Sequence, residues 1–203
     1  MQITFKCKNC GEINCIDVDN ILDITNNNDL MKRILDNSAF IFNCRKCQAE
    51  HNVIYDALIE NNNLKYYLKI NTSNQLLALM PENDYKIRIV KDLNEANEKI
   101  RCFNYLLDDR LVEIIKYLLK ENLESNNEGL KITEIYFFRV VDNNLEFVLF
   151  QDDDYKGIMR YSFTGYNHLN EIFKQYFDDN IQVVDKNYAI SIITKAKENQ
   201  NNA

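Results

Sequence analysis

The chain has 203 residues, 46% of them hydrophobic, enough for a sizeable core in one compact unit or two small ones. A net charge of −7 and a pI near 5 argue against nucleic acid as a partner, since phosphate contacts supply most nucleic-acid affinity. Only four glycines occur (Gly11, Gly129, Gly157 and Gly165), none spaced for a phosphate-cradling loop, and neither a G-x-S-x-G elbow nor an H-E-x-x-H helix is present.

Residues 1–70 read as strands with one short helix. Ile3 and Phe5 lead into a first Cys-x-x-Cys hook, Cys7/Cys10, and Ile13, Ile16 and Val18 follow it. Leu30, Ile34 and Leu35 share one face of a helix predicted over 29–35. Phe40 and Phe42 lead into the second hook, Cys44/Cys47. Strands over 53–55 and 64–70 flank Asn61-Asn62-Asn63, a hairpin turn whose asparagines suit positive φ. Residues 71–85 form a connection holding the only proline, Pro81. The segment 85–90 alternates like a strand.

Asp92 with Glu95 then forms a capping box for a helix carrying Leu93, Ala96, Ile100 and Phe103. Asp108-Asp109 starts a second helix with the stripe Leu111, Ile114, Ile115, Leu118 and Leu119. The polar stretch 121–129 is the candidate linker, giving expected domains of 1–124 and 125–203. Beyond it, 132–141, 145–150 and 157–163 read as antiparallel strands, joined at Asn143-Asn144 and at the acidic turn Asp152-Asp153-Asp154. An amphipathic helix follows (Leu169, Ile172, Phe173, Tyr176 and Phe177), then a strand over 182–184, a helix over 188–195 and a polar tail expected to be disordered. The fold class is α+β: a zinc-ribbon-like N-terminal β module with a helical hairpin, then a small antiparallel sheet with packed helices.

The two hooks carry the sharpest chemistry. Cys7, Cys10, Cys44 and Cys47 are the ligand set of a tetrahedral four-cysteine site, with zinc the commonest occupant and iron an alternative that uses the same donors. Gly11 relieves the first turn because glycine tolerates positive φ. Gln48 stands in its place in the second hook, so that turn is either strained or differently shaped. A thioredoxin-like role needs the hook at a helix start, whereas strand residues follow it here. Cys15 and Cys102 read as buried small hydrophobes. His51 reads as a polar strand position that could also serve as a spare ligand or donate a hydrogen bond to one.

The segment from Leu30 to Leu68, through Cys44, Cys47 and Tyr55-Asp56, and the downstream segment 85–119 resemble the CpXC-domain proteins, a bacterial and archaeal family named for its Cys-Pro-x-Cys hooks. The likeness covers residues 1–120. Lys8 and Arg45 stand where that family has proline, and Gln48 where it has a second glycine; all four cysteines are kept. The resemblance implies metal binding and no particular activity.

Three functions follow. The first is a non-enzymatic module with a structural zinc and a protein partner. The second is a metal-dependent hydrolase built on Asp152-Asp153-Asp154 or Asp108-Asp109, for which a solvated turn and a helix start are the competing explanations. His168 as its base has no visible partner. The third is a nucleic-acid-binding ribbon using Lys6, Lys8, Arg45 and Lys46 with Phe5 and Phe42, although those cations also suit an anionic sulfur centre. No apolar run reaches secretory or membrane-spanning length, so the expected setting is cytoplasmic, without membrane contact, where cysteines stay reduced.

Overall fold

A computed structural model describes residues 1–70, 84–127 and 129–201. The expected connection with Pro81 lies, up to residue 83, outside the described residues. The architecture is α+β, in two compact units, Met1–Asn97 and Glu98–Ala203.

In the first unit, β1 (Gln2–Lys6) and β2 (Ile13–Asp17) form an antiparallel hairpin whose register runs from Gln2↔Asp17 to Lys6↔Ile13. β3 (Ile21–Asp23) and helix α1 (Asn28–Leu35) follow. A second hairpin, β4 (Ile41–Asn43) with β5 (Glu50–Asn52), pairs Phe42 with His51. β6 (Ala57–Asn61), β7 (Tyr66–Ile70) and β8 (Lys86–Val90) complete a mixed sheet of order β3-β6-β7-β8. Its outer pairs, β3/β6 and β7/β8, are parallel. β3 is three residues long, too short for alternation to reveal it.

The strand expected over 53–55 is displaced. Val53 donates to the Phe40 carbonyl, and pairing resumes only at Ala57. In the Asn-rich turn, positive φ falls on Lys65 (52°). Asn61 instead accepts the backbone N–H groups of Asn63 (3.1 Å) and Leu64 (3.0 Å), so its side chain shapes the turn. At the start of α1 the Asn27 side chain accepts the Leu30 N–H at 3.0 Å. At its end the Asn97 amide donates to the Leu35 carbonyl. Ile34, Phe40, Ile59, Tyr66, Leu68 and Ile70 are fully buried.

The division between units falls inside α2 (Leu93–Asn104), whose Asp92 and Glu95 cap it as the sequence suggests. Leu93, Ala96, Ile100 and Phe103 are all buried. The stretch offered as a linker mostly completes α3 (Asp109–Asn126). Ser125, Asn126 and Asn127 donate side-chain bonds to carbonyls four residues back, which lets polar sequence finish a helix.

In the second unit, β9 (Glu134–Val141), β10 (Asn144–Gln151) and β11 (Asp154–Ser162) form an antiparallel sheet with β10 central. Both connections are two-residue turns with positive φ at each central residue: Asp142 and Asn143 (47° and 59°), Asp152 and Asp153 (50° and 69°). That is the twist-matched hairpin turn, and Asn and Asp are the non-glycine residues that best tolerate it. Helices α4 (Phe163–Phe173) and α5 (Lys186–Asn201) pack with α3. Two expectations fail here. Residues 182–184 form no strand, and the polar C-terminal run is helical through Asn201. Asp185 starts that helix by accepting the Tyr188 N–H at 3.0 Å, and Ala189, Ile192, Ile193 and Ala196 bury its face.

Buried charge holds α2 and α3 in register. Lys99 pairs with Asp109 at 3.0 Å, with side chains 4% and 0% exposed. Lys116 bridges Glu98 (2.7 Å) and Glu113 (2.8 Å). The second Glu98 oxygen accepts the Phe137 N–H at 2.6 Å, occupying the outer edge of β9. Burial pulls the Lys99 amine down, but Asp109, Glu113 and Glu98 together hold it above its ordinary range. Removing one member strands a charge away from water. Asp109→Asn is therefore expected to cost about 3–5 kcal/mol, whereas Lys99→Met with Asp109→Leu restores most of the loss. Denaturant unfolding of the two variants beside the wild type checks both outcomes.

Candidate metal centre

The two hooks are local copies of one turn, Phe-x-Cys-x-x-Cys in FKCKNC and FNCRKC. In the first, the Cys7 N–H donates to the Glu12 carbonyl (2.8 Å) and the Gly11 N–H to the Cys7 carbonyl (3.0 Å). In the second, the Cys44 N–H donates to the Ala49 carbonyl (2.9 Å) and the Gln48 N–H to the Cys44 carbonyl (2.9 Å). Gln48 has φ 60°, close to the 75° of Gly11. The second turn thus keeps the shape of the first and carries the strain of a side chain in the left-handed region. Gln48→Gly is expected to raise unfolding stability by about 1 kcal/mol, and Gly11→Ala to lower it by a similar amount. Equilibrium unfolding of the metal-replete protein reads both.

The hooks converge. The four sulfurs of Cys7, Cys10, Cys44 and Cys47 all lie within 4.8 Å of one another. Cys7 Sγ is 3.6 Å from Cys47 Sγ, and Cys10 Sγ is 3.6 Å from Cys44 Sγ. A tetrahedral ion with metal–sulfur bonds of about 2.3 Å needs sulfur–sulfur edges of about 3.8 Å, so the donor set fits zinc. The same separations are far above the ~2.05 Å of a disulfide, and all six cysteines are free. Cys7 and Cys44 are buried; Cys10 and Cys47 are half-buried.

Neutral N–H groups surround these sulfurs. Cys7 Sγ accepts the Cys10 backbone N–H (3.4 Å) and lies 3.2 Å from His51 Nε2. Cys44 Sγ accepts from the Asn14 amide (3.6 Å), and Cys47 Sγ from the Asn9 amide (3.5 Å). The backbone N–H of Cys47, then that of Lys46 and the Asn14 amide, pull the Cys44 thiol down to about 6. The Ala49 N–H and the Asn9 amide lower Cys47. At Cys10 the Glu12 N–H pulls downward, but burial and the three neighbouring thiols push it up to about 12. Four thiols this close cannot all ionise around empty space. A central cation would remove that conflict.

The cations beside the hooks play a smaller part than their number suggests. Arg45 turns to Glu12, with Nε at 3.0 Å and Nη2 at 2.5 Å from one carboxylate oxygen. Lys6, Lys8 and Lys46 are exposed. Cys15 is exposed rather than buried and lies outside the sulfur set, while Cys102 is buried as expected. The first hook joins two strands, so the helix start a redox hook needs is absent there. Neither acidic candidate gathers into a site. Asp152 and Asp153 are turn residues. Asp108 caps α3 and pairs with Arg110 at 2.8 Å, and Asp109 is taken up by Lys99. His168 is exposed within α4. Among the described residues the four cysteines form the only group of three or more His, Cys, Asp or Glu donors close enough for an ion.

Asn14 has no signature as a site residue in sequence. Its one available signal is position: it follows Cys7 by the same seven residues that separate His51 from Cys44. Among the described residues no helix is long and apolar enough to cross a membrane. The family described as CpXC protein matches residues 5–116, more than half of the chain, and the chain belongs to that family. No curated protein and no solved structure matches it.

Proposed function

We propose that this CpXC-family chain is a non-enzymatic protein in which Cys7, Cys10, Cys44 and Cys47 hold one structural zinc, and that the metal-bearing unit is a protein-interaction or regulatory module. The observation that carries this reading is the convergence of four sulfurs within 4.8 Å of one another, two of whose edges, at 3.6 Å, are near those of a zinc tetrahedron. Such a set is closed. Catalytic zinc keeps a coordination position for water, and four protein thiolates leave none. Exposed Ile13, Ile21, Ile41 and Ile54 on the same unit offer apolar contact to a partner. Unpaired thiols suit a reducing, cytoplasmic setting.

Zinc would contribute folding energy to the first unit, on the order of 10 kcal/mol of apparent binding free energy at neutral pH. Elemental analysis of the full chain, purified without added metal and paired with native mass, is expected to give one zinc per chain. A strong chelator is expected to lower the thermal midpoint, and Cys44→Ser to abolish metal retention. Iron in place of zinc would show at once as colour. A metal-free protein indifferent to chelator would overturn the reading.

A further inference from the structure

Two side chains outside the ligand set join the hairpins to each other. Asn14 lies on β2 opposite Phe5, and His51 lies on β5 opposite Phe42. They are counterparts: Cys7 to Asn14 and Cys44 to His51 each span seven residues. Each reaches across to the first cysteine of the other hook. The Asn14 amide donates to Cys44 Sγ at 3.6 Å, and His51 Nε2 is 3.2 Å from Cys7 Sγ. Asn14 is 2% exposed and its polar atoms are engaged at both ends: Oδ1 accepts the Arg45 N–H at 2.9 Å, and Nδ2 also reaches the Glu12 carbonyl at 3.2 Å. His51 is set by its ring against Phe5, centroids 5.3 Å apart.

Asn14 is the stronger sign of a built site. A buried side-chain amide is costly unless both ends are used, and here both are used on the opposite hook and its own turn. The pattern matters because four thiolates with a divalent ion carry a net charge of −2. With Arg45 committed to Glu12, the relief closest to the sulfurs comes from N–H donors. We propose that Asn14 and His51 act as a reciprocal pair of positioning residues, each donating an N–H to the first cysteine of the opposite hook, so that together they lock the two hooks around the metal and withdraw charge from its sulfurs. This rests on the zinc reading above. It adds that metal retention in this chain depends on two non-ligand residues, one per hairpin, which act through the sulfurs.

The test uses the full chain loaded with zinc for affinity and with cobalt(II) for spectroscopy. Chelator competition is expected to show a 10–100-fold loss of zinc affinity for Asn14→Ala and for His51→Ala. Asn14→Asp, which sets an acceptor and a charge against Cys44, is expected to lose more. His51→Gln keeps an N–H donor of similar reach and is expected to recover part of the loss. The cobalt–thiolate charge-transfer band reports electron density at sulfur. It is expected to shift to lower energy in both alanine variants, which a packing defect alone would not produce. If the wild type takes up one cobalt and the variants match it in affinity and band position, the pairing is refuted while the metal centre stands. Variants that lose affinity with an unmoved band also refute it, since the residues then act by packing alone. A wild type that takes up neither metal overturns both readings.

Discussion

Four thiols with sulfurs within 4.8 Å of one another can shed their protons together only around a cation, and the first unit is built on that constraint. The hooks come from turns far apart in sequence, so closing them costs chain entropy that two three- to five-residue hairpins cannot offset by burial alone. Four metal–sulfur bonds would offset it. The backbone is shaped for such a centre. Gln48 accepts left-handed φ because the turn must aim the Cys44 and Cys47 sulfurs inward, and N–H groups crowd the sulfurs where ammonium groups do not.

The second unit is organised by a different device. Glu98, Lys99, Asp109, Glu113 and Lys116 are charges brought out of water on α2 and α3. Such groups stabilise only as a completed set, so they specify how two helices meet more than they strengthen the meeting. Glu98 does a further task by taking the Phe137 N–H, which leaves one fewer open donor on the outer edge of β9. Each unit thus sets polar groups beside an ordinary aliphatic and aromatic core, four converging cysteine sulfurs in one and carboxylate with ammonium in the other.

Much of this was legible in the sequence where a residue type has one strong geometric use. Paired Cys-x-x-Cys hooks, the Asp92–Glu95 cap and the alternation of 85–90 all say what they become. Readings failed where a side chain changes role with its neighbours. Asp109 looks like any helix-start carboxylate until Lys99 is found beside it in the interior. Glu121 to Asn127 look like linker until their side chains are seen closing back on the helix. β3 is invisible because three residues carry no period, and the C-terminal helix, expected over 188–195, runs on to Asn201 through polar sequence that has no apolar stripe to mark it. Asn14 is hidden because an asparagine among many advertises nothing; only the matching position of His51 on the other hairpin makes it stand out.

Zinc-edge X-ray absorption on the purified full chain examines the sulfur centre directly. Four sulfur scatterers at about 2.3 Å, with no nitrogen or oxygen bound to the metal, is the predicted result. Nitrogen or oxygen donors on the metal, or fewer than four sulfurs, would contradict the closed four-cysteine centre on which the rest depends.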